Sequence, residues 1–435
     1  MGCKKDFSLI FEPWNIQEEF LTSEKRFLGF FAGKRSGKTC VGAIKSILLQ
    51  ETKPNYIPNG VDKYIGVIVA PTRDMLDRLS WEKLIAYGKP FIHKMKRSPH
   101  YIEWHDGSVI YGISADNPRR IEGIKANYVY IDEALQCSED LYLECKARIA
   151  DQQGYIICTG SLGQQVINPK KHWAYKYFKE KPCDETVCFE CRTIDNPYFP
   201  KDEIKRLQST LDPMTFTQMF EINWDTIPQA AVYSNLSVDN FRQLEFNPAL
   251  ETYVSIDWGY AHQMAVLFIQ YDRVNDIVYV IDEIIQNKML LESMVDKIMV
   301  KGYPIFGWDC DISGTQEREQ TGRSNIFLVT KYLKDKYGMV VKFKFRQSAI
   351  VYGIALLRSY IKNMEGKCRM FFDERKCPIL IDQLKNYRYP EKDGEVTSEL
   401  PIKLNDDGND SLRYYAVNVL DDIVKGKRKI TQSYY

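Results

Sequence analysis

The sequence predicts an α/β chain of two domains, and three observations carry that prediction. Its 435 residues exceed the roughly 100–200 residues of one domain. A glycine-rich loop near residue 33 stands between a short apolar strand and a helical stretch, and three more apolar strands follow it, each ending in small, polar or acidic residues. Beyond residue 250 the pattern changes to three hairpin-connected strands, then alternating helices and strands, then a late helix that opens with acids.

Composition bounds the classes. The chain is 44% hydrophobic and 27% charged, as soluble globular proteins are. A net charge of +1 excludes a global basic field, so any contact with nucleic acid rests on local patches. Eleven scattered cysteines, an odd number, with no secretory signal before them, predict a reduced, cytosolic protein. No apolar run of about 18 residues is present, so no membrane span is expected.

In the first half, Phe27 to Phe31 reads as a buried strand. Ala32-Gly33-Lys34-Arg35-Ser36-Gly37-Lys38-Thr39 follows, and residues 41–50 have helical periodicity. Strand, glycine loop and helix are the context of a phosphate-binding loop. The N–H groups of Gly33, Lys34, Arg35, Ser36 and Gly37 are expected to face phosphates at the helix N-terminus. Lys38 is expected to reach the β- and γ-phosphates of ATP, and the Thr39 hydroxyl to hold Mg²⁺. Ala32 replaces the usual first glycine, which is acceptable where φ stays negative. Residues 127–131 form a second strand ending in Asp132-Glu133. Asp132 is placed on the Mg²⁺ shell and Glu133 on the attacking water. A strand at 155–158 ends in Thr159-Gly160-Ser161, which are candidates for sensing the γ-phosphate. Another strand at 64–70 ends in Pro71-Thr72-Arg73. Upstream, Gln17 is a candidate for bonding adenine through its amide.

The order "EPWNIQEEFL", "FFAGKRSGKT", "VIVAPTRDML", "NYVYIDEA" and "ICTGS" resembles the ATPase half of phage terminase large subunits, over about residues 10–165. Superfamily 2 helicases share part of it. The resemblance implies an arginine acting on the γ-phosphate, with Lys34, Arg35, Arg119 and Arg120 as candidates. Arg120 lies in "NPRRIEG", which is similar to the segment carrying a trans-acting arginine in some members.

Residues 166–240 are expected to form a small linker subdomain of a first domain spanning 1–240. Lys170-Lys171-His172-Trp173 and Tyr175-Lys176-Tyr177 interleave bases with aromatics, which fits either a DNA-tracking surface or an amphipathic solvated helix. Cys188 and Cys191, with Cys183 nearby, are a weak hint of a metal knuckle with no second Cys/His pair at zinc spacing. "DNPYFPKDEIKRL" and the 220–236 segment resemble the family's lead into its second domain.

The second domain, 241–435, begins with a strand at 253–257 that delivers Asp257. Strands at 265–270 and 277–281 follow, the last ending in Asp282-Glu283. Residues 287–301 are helical, 304–308 form a strand that delivers Asp309 and Asp311, and 340–345 form another strand. The run 405–410 is expected to cap a helix over 411–421. This order resembles an RNase H-like fold, in which first strand, central strand and late helix bring carboxylates together for two-metal hydrolysis. Hard Mg²⁺ or Mn²⁺ ions need such oxygen ligands.

The terminase nuclease half is similar here as well. "SIDWGY" supplies Asp257, "DISG" supplies Asp311 with Asp309 as the alternative, and "DDGNDSLRYYA" supplies Asp410 with Asp407 one turn away. Asn409 and Ser411 depart mildly from the family's usual residues around that aspartate. The resemblance implies a motor that moves double-stranded DNA into a capsid and cuts concatemers. It implies as partners a small terminase subunit and the portal, a monomer in solution and a ring on the portal, in the host cytoplasm. Two rivals stand beside it: a helicase-like translocase without a nuclease, and a nucleotide-gated scaffold that clamps DNA without turnover.

Overall fold

The structure is a computed structural model that describes residues 11–56, 62–116, 118–163, 169–224, 230–259, 262–318, 322–392 and 395–432. Asn117 of the "NPRRIEG" segment, Tyr260 of "SIDWGY" and residues 225–229 of the 220–236 segment lie outside that set, as does the Arg119 side chain. The chain divides into two compact units, one of residues 1–204 with 216–227 and one of 205–215 with 228–435.

The first unit is built on an eight-stranded sheet. Its strands are β1 (Phe27–Ala32), β2 (Ile65–Ala70), β3 (Ile92–Arg97), β4 (His100–Trp104), β5 (Val109–Ser114), β6 (Tyr128–Ile131), β7 (Tyr155–Gly160) and β8 (Thr186–Cys191). They lie in the order β3-β4-β5-β2-β6-β7-β1-β8. The run from β5 to β8 is parallel, and β3–β4 add an antiparallel ribbon at one edge. Parallel strands are covered on both faces, and β1 is buried at every position. Side chains alternate between faces. Phe27, Phe31, Val129, Ile131 and Ile156 join one core, whereas Leu28, Phe30, Tyr128, Tyr130 and Ile157 join the other. The helix Lys38–Thr52 starts from Gly37, held at φ +83°, and inserts Val41, Ala43, Ile44 and Ile47 into the interior.

Two readings left open for the middle of the chain are decided by the packing. Trp173 and Phe178 are buried. The Trp173 ring stacks on Tyr142 at 4.5 Å, and its Nε1 donates to the Cys137 carbonyl at 2.7 Å. Lys176 bonds Glu139 at 2.9 Å. The aromatics therefore serve the core, not a stacking surface for bases. Cys188 and Cys191 lie on β8 three residues apart, so their thiols leave opposite faces of the sheet, one toward each core. Two such thiols cannot share a tetrahedral metal.

The second unit carries a seven-stranded sheet of β9 (Phe241–Arg242), β10 (Glu251–Asp257), β11 (Gln263–Asp272), β12 (Ile277–Asn287), β13 (Gly307–Cys310), β14 (Phe343–Lys344) and β15 (Met370–Asp373). Their spatial order is β14-β13-β10-β11-β12-β15-β9. β10, β11 and β12 form an antiparallel meander, and β13 and β14 add in parallel beside β10. Strand alternation sends Val254, Ile256, Val266 and Phe268 into one core with Trp308 and Val329. The strand expected at 304–308 starts and ends later, at Gly307–Cys310, and the one at 340–345 shrinks to two residues. The late helix begins at Asp407, not at Ser411. Asp410 N–H already bonds the Asp406 carbonyl at 2.8 Å, so the acids form the first turn itself, where they suit the positive end of the helix dipole.

Candidate nucleotide and metal sites

In the first unit the loop after β1 is braced from several sides. Ala32 completes β1 in extended backbone, so its Cβ costs nothing there. Arg35 and Gly37 take left-handed φ of +67° and +83°. Gly33 N–H donates to the Cys191 carbonyl at 3.0 Å, and Lys34 N–H to the Met219 carbonyl at 2.7 Å. These two N–H groups are thus spent on the protein, a correction to their expected role on phosphate. A Cβ on Gly33 would meet the Phe220 carbonyl oxygen at 2.3 Å and Thr193 Oγ1 at 2.5 Å. Thr193 Oγ1 and Asn196 Nδ2 donate to the carbonyls of Lys34 and Arg35 at 2.6 and 2.8 Å. Ser36 Oγ and Lys38 Nζ each donate to the Gly33 carbonyl at 2.8 Å. Gln17 is buried beneath Gly37 and donates its Nε2 to the Ser36 carbonyl at 3.0 Å. The amide nitrogen expected on adenine instead supports the loop.

Asp132 follows β6 and gathers hydroxyls from three elements. Thr159 Oγ1 at the end of β7 donates to Oδ1 at 2.7 Å, and Ser80 Oγ donates to Oδ2 at 2.7 Å. Thr39 Oγ1 lies 3.4 Å from Oδ1, as a shared Mg²⁺ shell requires. Tyr130 OH lies 3.0 Å from Thr159 Oγ1, so β7 is tied to β6 at this edge. Glu133 stands in left-handed backbone at φ +49°. Burial raises its carboxyl above the usual range, against the pull of Lys38. Burial lowers the Lys38 ammonium, with Glu133 and Asp132 opposing it. A carboxylate of raised basicity beside an ammonium is suited to accept a proton from water. Gly160 and Ser161 follow Thr159, and the Ser161 N–H bonds Glu133. Lys34 and Arg35 are exposed on the loop. Arg120 is exposed on the turn Pro118–Ile121, where it lines a cavity with Arg73, Ser98, His100 and Ser114.

In the second unit Asp257 ends β10 and is nearly buried. Burial raises its carboxyl well above the carboxylate range, and Asp410, Asp407 and Asp311 add to the rise while Arg413 opposes it. Asp311 follows the last residue of β13 and precedes the turn Ile312–Thr315. Asp407 Oδ1 lies 2.7 Å from His262 Nδ1, and Asp410 Oδ1 accepts from Arg413 Nη2 and Nε at 2.8 and 3.1 Å. Among the described residues no group of three or more acids, cysteines or histidines is placed so that it could hold a metal ion. Asp311, Asp407 and Asp410 are near enough to act on the Asp257 carboxyl, and all four offer only oxygen, the donor type a hard divalent cation takes.

Asp309 does not belong to that set. It is fully buried and lies 2.6 Å from Ser255 Oγ, and burial pushes its carboxyl up to about 8. Its expected place as an alternative ligand is corrected to a neutral acid beneath the site. Strand alternation puts it on the same face as Asp257, but one step deeper, opposite Ser255. Glu283 accepts N–H bonds from Ile379 and Leu380, both at 2.8 Å, and Asp282 pairs with Lys301 at 2.7 Å. Both are structural. Reading the sequence did not find His262, a lone histidine with no spacing signal. It also missed Arg413, although a base three residues after Asp410 on a helix was a legible signal.

Residues 30–231 match the family model described as terminase large subunit, T4likevirus-type, N-terminal. Those residues, just under half of the chain, are similar to the N-terminal part of terminase large subunits. A search of curated proteins found none that matches. Among solved structures, this chain is similar to the large terminase from the thermophilic bacteriophage D6E, with a TM-score of 0.60 and 16% identity over 94% of this chain and 100% of the other. The same D6E protein in complex with ATP-γ-S gives a TM-score of 0.59 and 16% identity, over 93% and 98% of the two chains. At that identity the likeness concerns the fold, which is shared over both units. No helix among the described residues is long and apolar enough to cross a membrane.

Proposed function

We propose that this chain is a terminase large subunit that hydrolyses ATP in its first unit to drive double-stranded DNA into a procapsid, and cuts concatemeric DNA in its second. The observation that supports the motor reading best is the convergence of Thr39, Thr159 and Ser80 on Asp132 beside Lys38 and Glu133. The loop orients the phosphates, Lys38 offsets their charge, and Glu133 takes the proton of the attacking water. Thr159, with Gly160 and Ser161, links the state of that site to the neighbouring strand. Arg120, or Arg35 on the loop, is the candidate to meet charge developing on the γ-phosphate.

In the second unit Asp257, Asp311, Asp407 and Asp410 are the residues that would hold Mg²⁺ or Mn²⁺. Bound there, the ions supply an activated water and charge stabilisation at the leaving oxygen. Arg413 holds Asp410 in place. The helicase-like rival expects a second parallel nucleotide-binding sheet, and the antiparallel β10–β12 meander disfavours it. A small terminase subunit and the portal are the proposed partners, with the chain monomeric when free, ring-forming on the portal, and at work in the host cytoplasm.

The deciding experiment is plasmid cleavage with Mn²⁺ or Mg²⁺ by wild type, Asp257→Ala and Asp410→Ala, with ATPase measured in parallel. Cleavage should be lost in both variants while ATPase persists. Wild type that never cuts, or variants that cut normally, would overturn the nuclease assignment.

A further inference from the structure

Ser255 lies two residues before Asp257 on β10, so both side chains leave the same face of the strand. Ser411 directly follows Asp410 on the Asp407–Tyr415 helix. The two serines are fully buried and bond each other reciprocally. Ser255 Oγ donates to the Ser411 carbonyl at 2.8 Å, and Ser411 Oγ donates to the Ser255 carbonyl at 3.0 Å. Deeper along the same helical run, Asn418 Nδ2 donates to the Cys310 carbonyl at 3.0 Å, next to Asp311. Three elements deliver the acids, namely β10, β13 and the late helix, and buried hydrogen bonds join them directly beneath the carboxylates.

The acids have reason to separate. Like charges in one volume repel, and burial strengthens the repulsion. Apolar packing of a helix on a sheet resists separation but tolerates sliding, because dispersion contacts are not directional. A pair of mutual side-chain-to-backbone bonds is directional, and either bond left unmade strands a buried polar group. Sliding the helix by even part of a turn breaks both.

We propose that Ser255 and Ser411 are positioning residues of the metal site: their reciprocal bond fixes the register of the late helix on β10, and with it the separation of Asp257 and Asp410. The proposal rests on the two-metal reading of the second unit. A purely structural serine pair would affect melting and leave metal affinity alone, whereas a positioning pair sets the affinity itself. Groups that orient metal ligands in this way typically change metal affinity by about 10–100-fold when removed.

The test is calorimetric titration of Mn²⁺ into the full chain, comparing wild type with Ser411→Ala and Ser255→Ala, with the metal-free melting temperature recorded for each. Mn²⁺ binding should weaken by about tenfold or more in both variants, with metal-free melting lowered by no more than a few degrees and ATPase unchanged. Each variant leaves the other mutual bond in place, so should one of them lose the melting transition, the other decides alone. Wild-type Mn²⁺ affinity in a folded variant overturns the proposal. A wild type that binds no Mn²⁺ overturns the nuclease reading first, and the proposal with it.

Discussion

Replacing Asp309 by asparagine should leave the protein more stable than wild type above pH 7, although it alters a fully buried carboxyl beneath the proposed metal site. Ser255 Oγ has one proton and two oxygens within reach, Asp309 Oδ1 at 2.6 Å and the Ser411 carbonyl at 2.8 Å. The arrangement is satisfied when Asp309 is the acid and donates to Ser255, which donates onward. The folded carboxyl keeps its proton to about 8, against 3.8 for the free group. A raised carboxyl helps the fold fully below the unfolded value, and its help is lost as pH climbs toward the folded one. About four pH units at ~1.4 kcal/mol each set a ceiling near ~6 kcal/mol, and relaxation of the site lowers it. Asparagine is permanently neutral and can donate from its amide nitrogen, so it avoids this loss. Asp309→Ala is equally free of that loss but removes the donor to Ser255, so it should lie about 1–3 kcal/mol below Asp309→Asn at every pH. Calorimetric melting of the full chain between pH 5 and 8 is the assay, with plasmid cleavage on the same samples. The gap between Asp309→Asn and wild type should widen with pH, and cleavage should persist. A gap that stays flat, or a folded asparagine variant that no longer cuts, refutes the reasoning and returns Asp309 to the metal.

Two predictions concern the first unit. Glu133→Gln should retain ATP binding and lose hydrolysis by roughly 10²–10⁴-fold, since it removes the proton acceptor and keeps the shape; a phosphate-release assay with a fluorescent-nucleotide titration decides, and near-normal turnover would exclude Glu133 as the base. Gly33→Ala should fail on both folding and nucleotide affinity, because its methyl would stand 2.3 Å from the Phe220 carbonyl oxygen, a backbone atom that cannot rotate away. A melting cost of about 1–3 kcal/mol is expected, and wild-type nucleotide affinity in a normally melting Gly33→Ala protein contradicts the bracing described above.

Much of the fold was legible because its signals are local. The apolar run before Gly33, the glycine pair and the helix after them lie within one stretch of sequence, as do β6 with Asp132 and the β10–β12 meander. The β3–β4 ribbon escaped notice because β3 exposes nearly every residue and shows no alternation. β8 was read only through its cysteines, since its half-buried residues carry no pattern until β1 lies beside them. Asp309 and Asp311 were not separable in advance: alternation gives the face of a strand but not where pairing stops, and pairing stops at Cys310. Gln17 was misplaced for a similar reason, because the carbonyl it serves is 19 residues away in the chain. The fourth acid and its neighbour His262 meet across 145 residues, a distance at which a single sequence carries no trace of contact.

Trp258 follows Asp257 directly and is nearly buried, with its indole Nε1 occupying the space a Cβ on Gly314 would need, 2.3 Å from it. Gly314 N–H bonds the Asp311 carbonyl at 3.1 Å. The ring is therefore gripped by the two segments that carry two of the acids, and any cation that draws those segments together changes the field and packing around it. The protein has an intrinsic fluorophore wired to the proposed metal site. Emission recorded during a Mn²⁺ titration, with Trp258→Phe as the subtraction for the other six tryptophans, gives an optical readout of site closure that needs no label and no DNA.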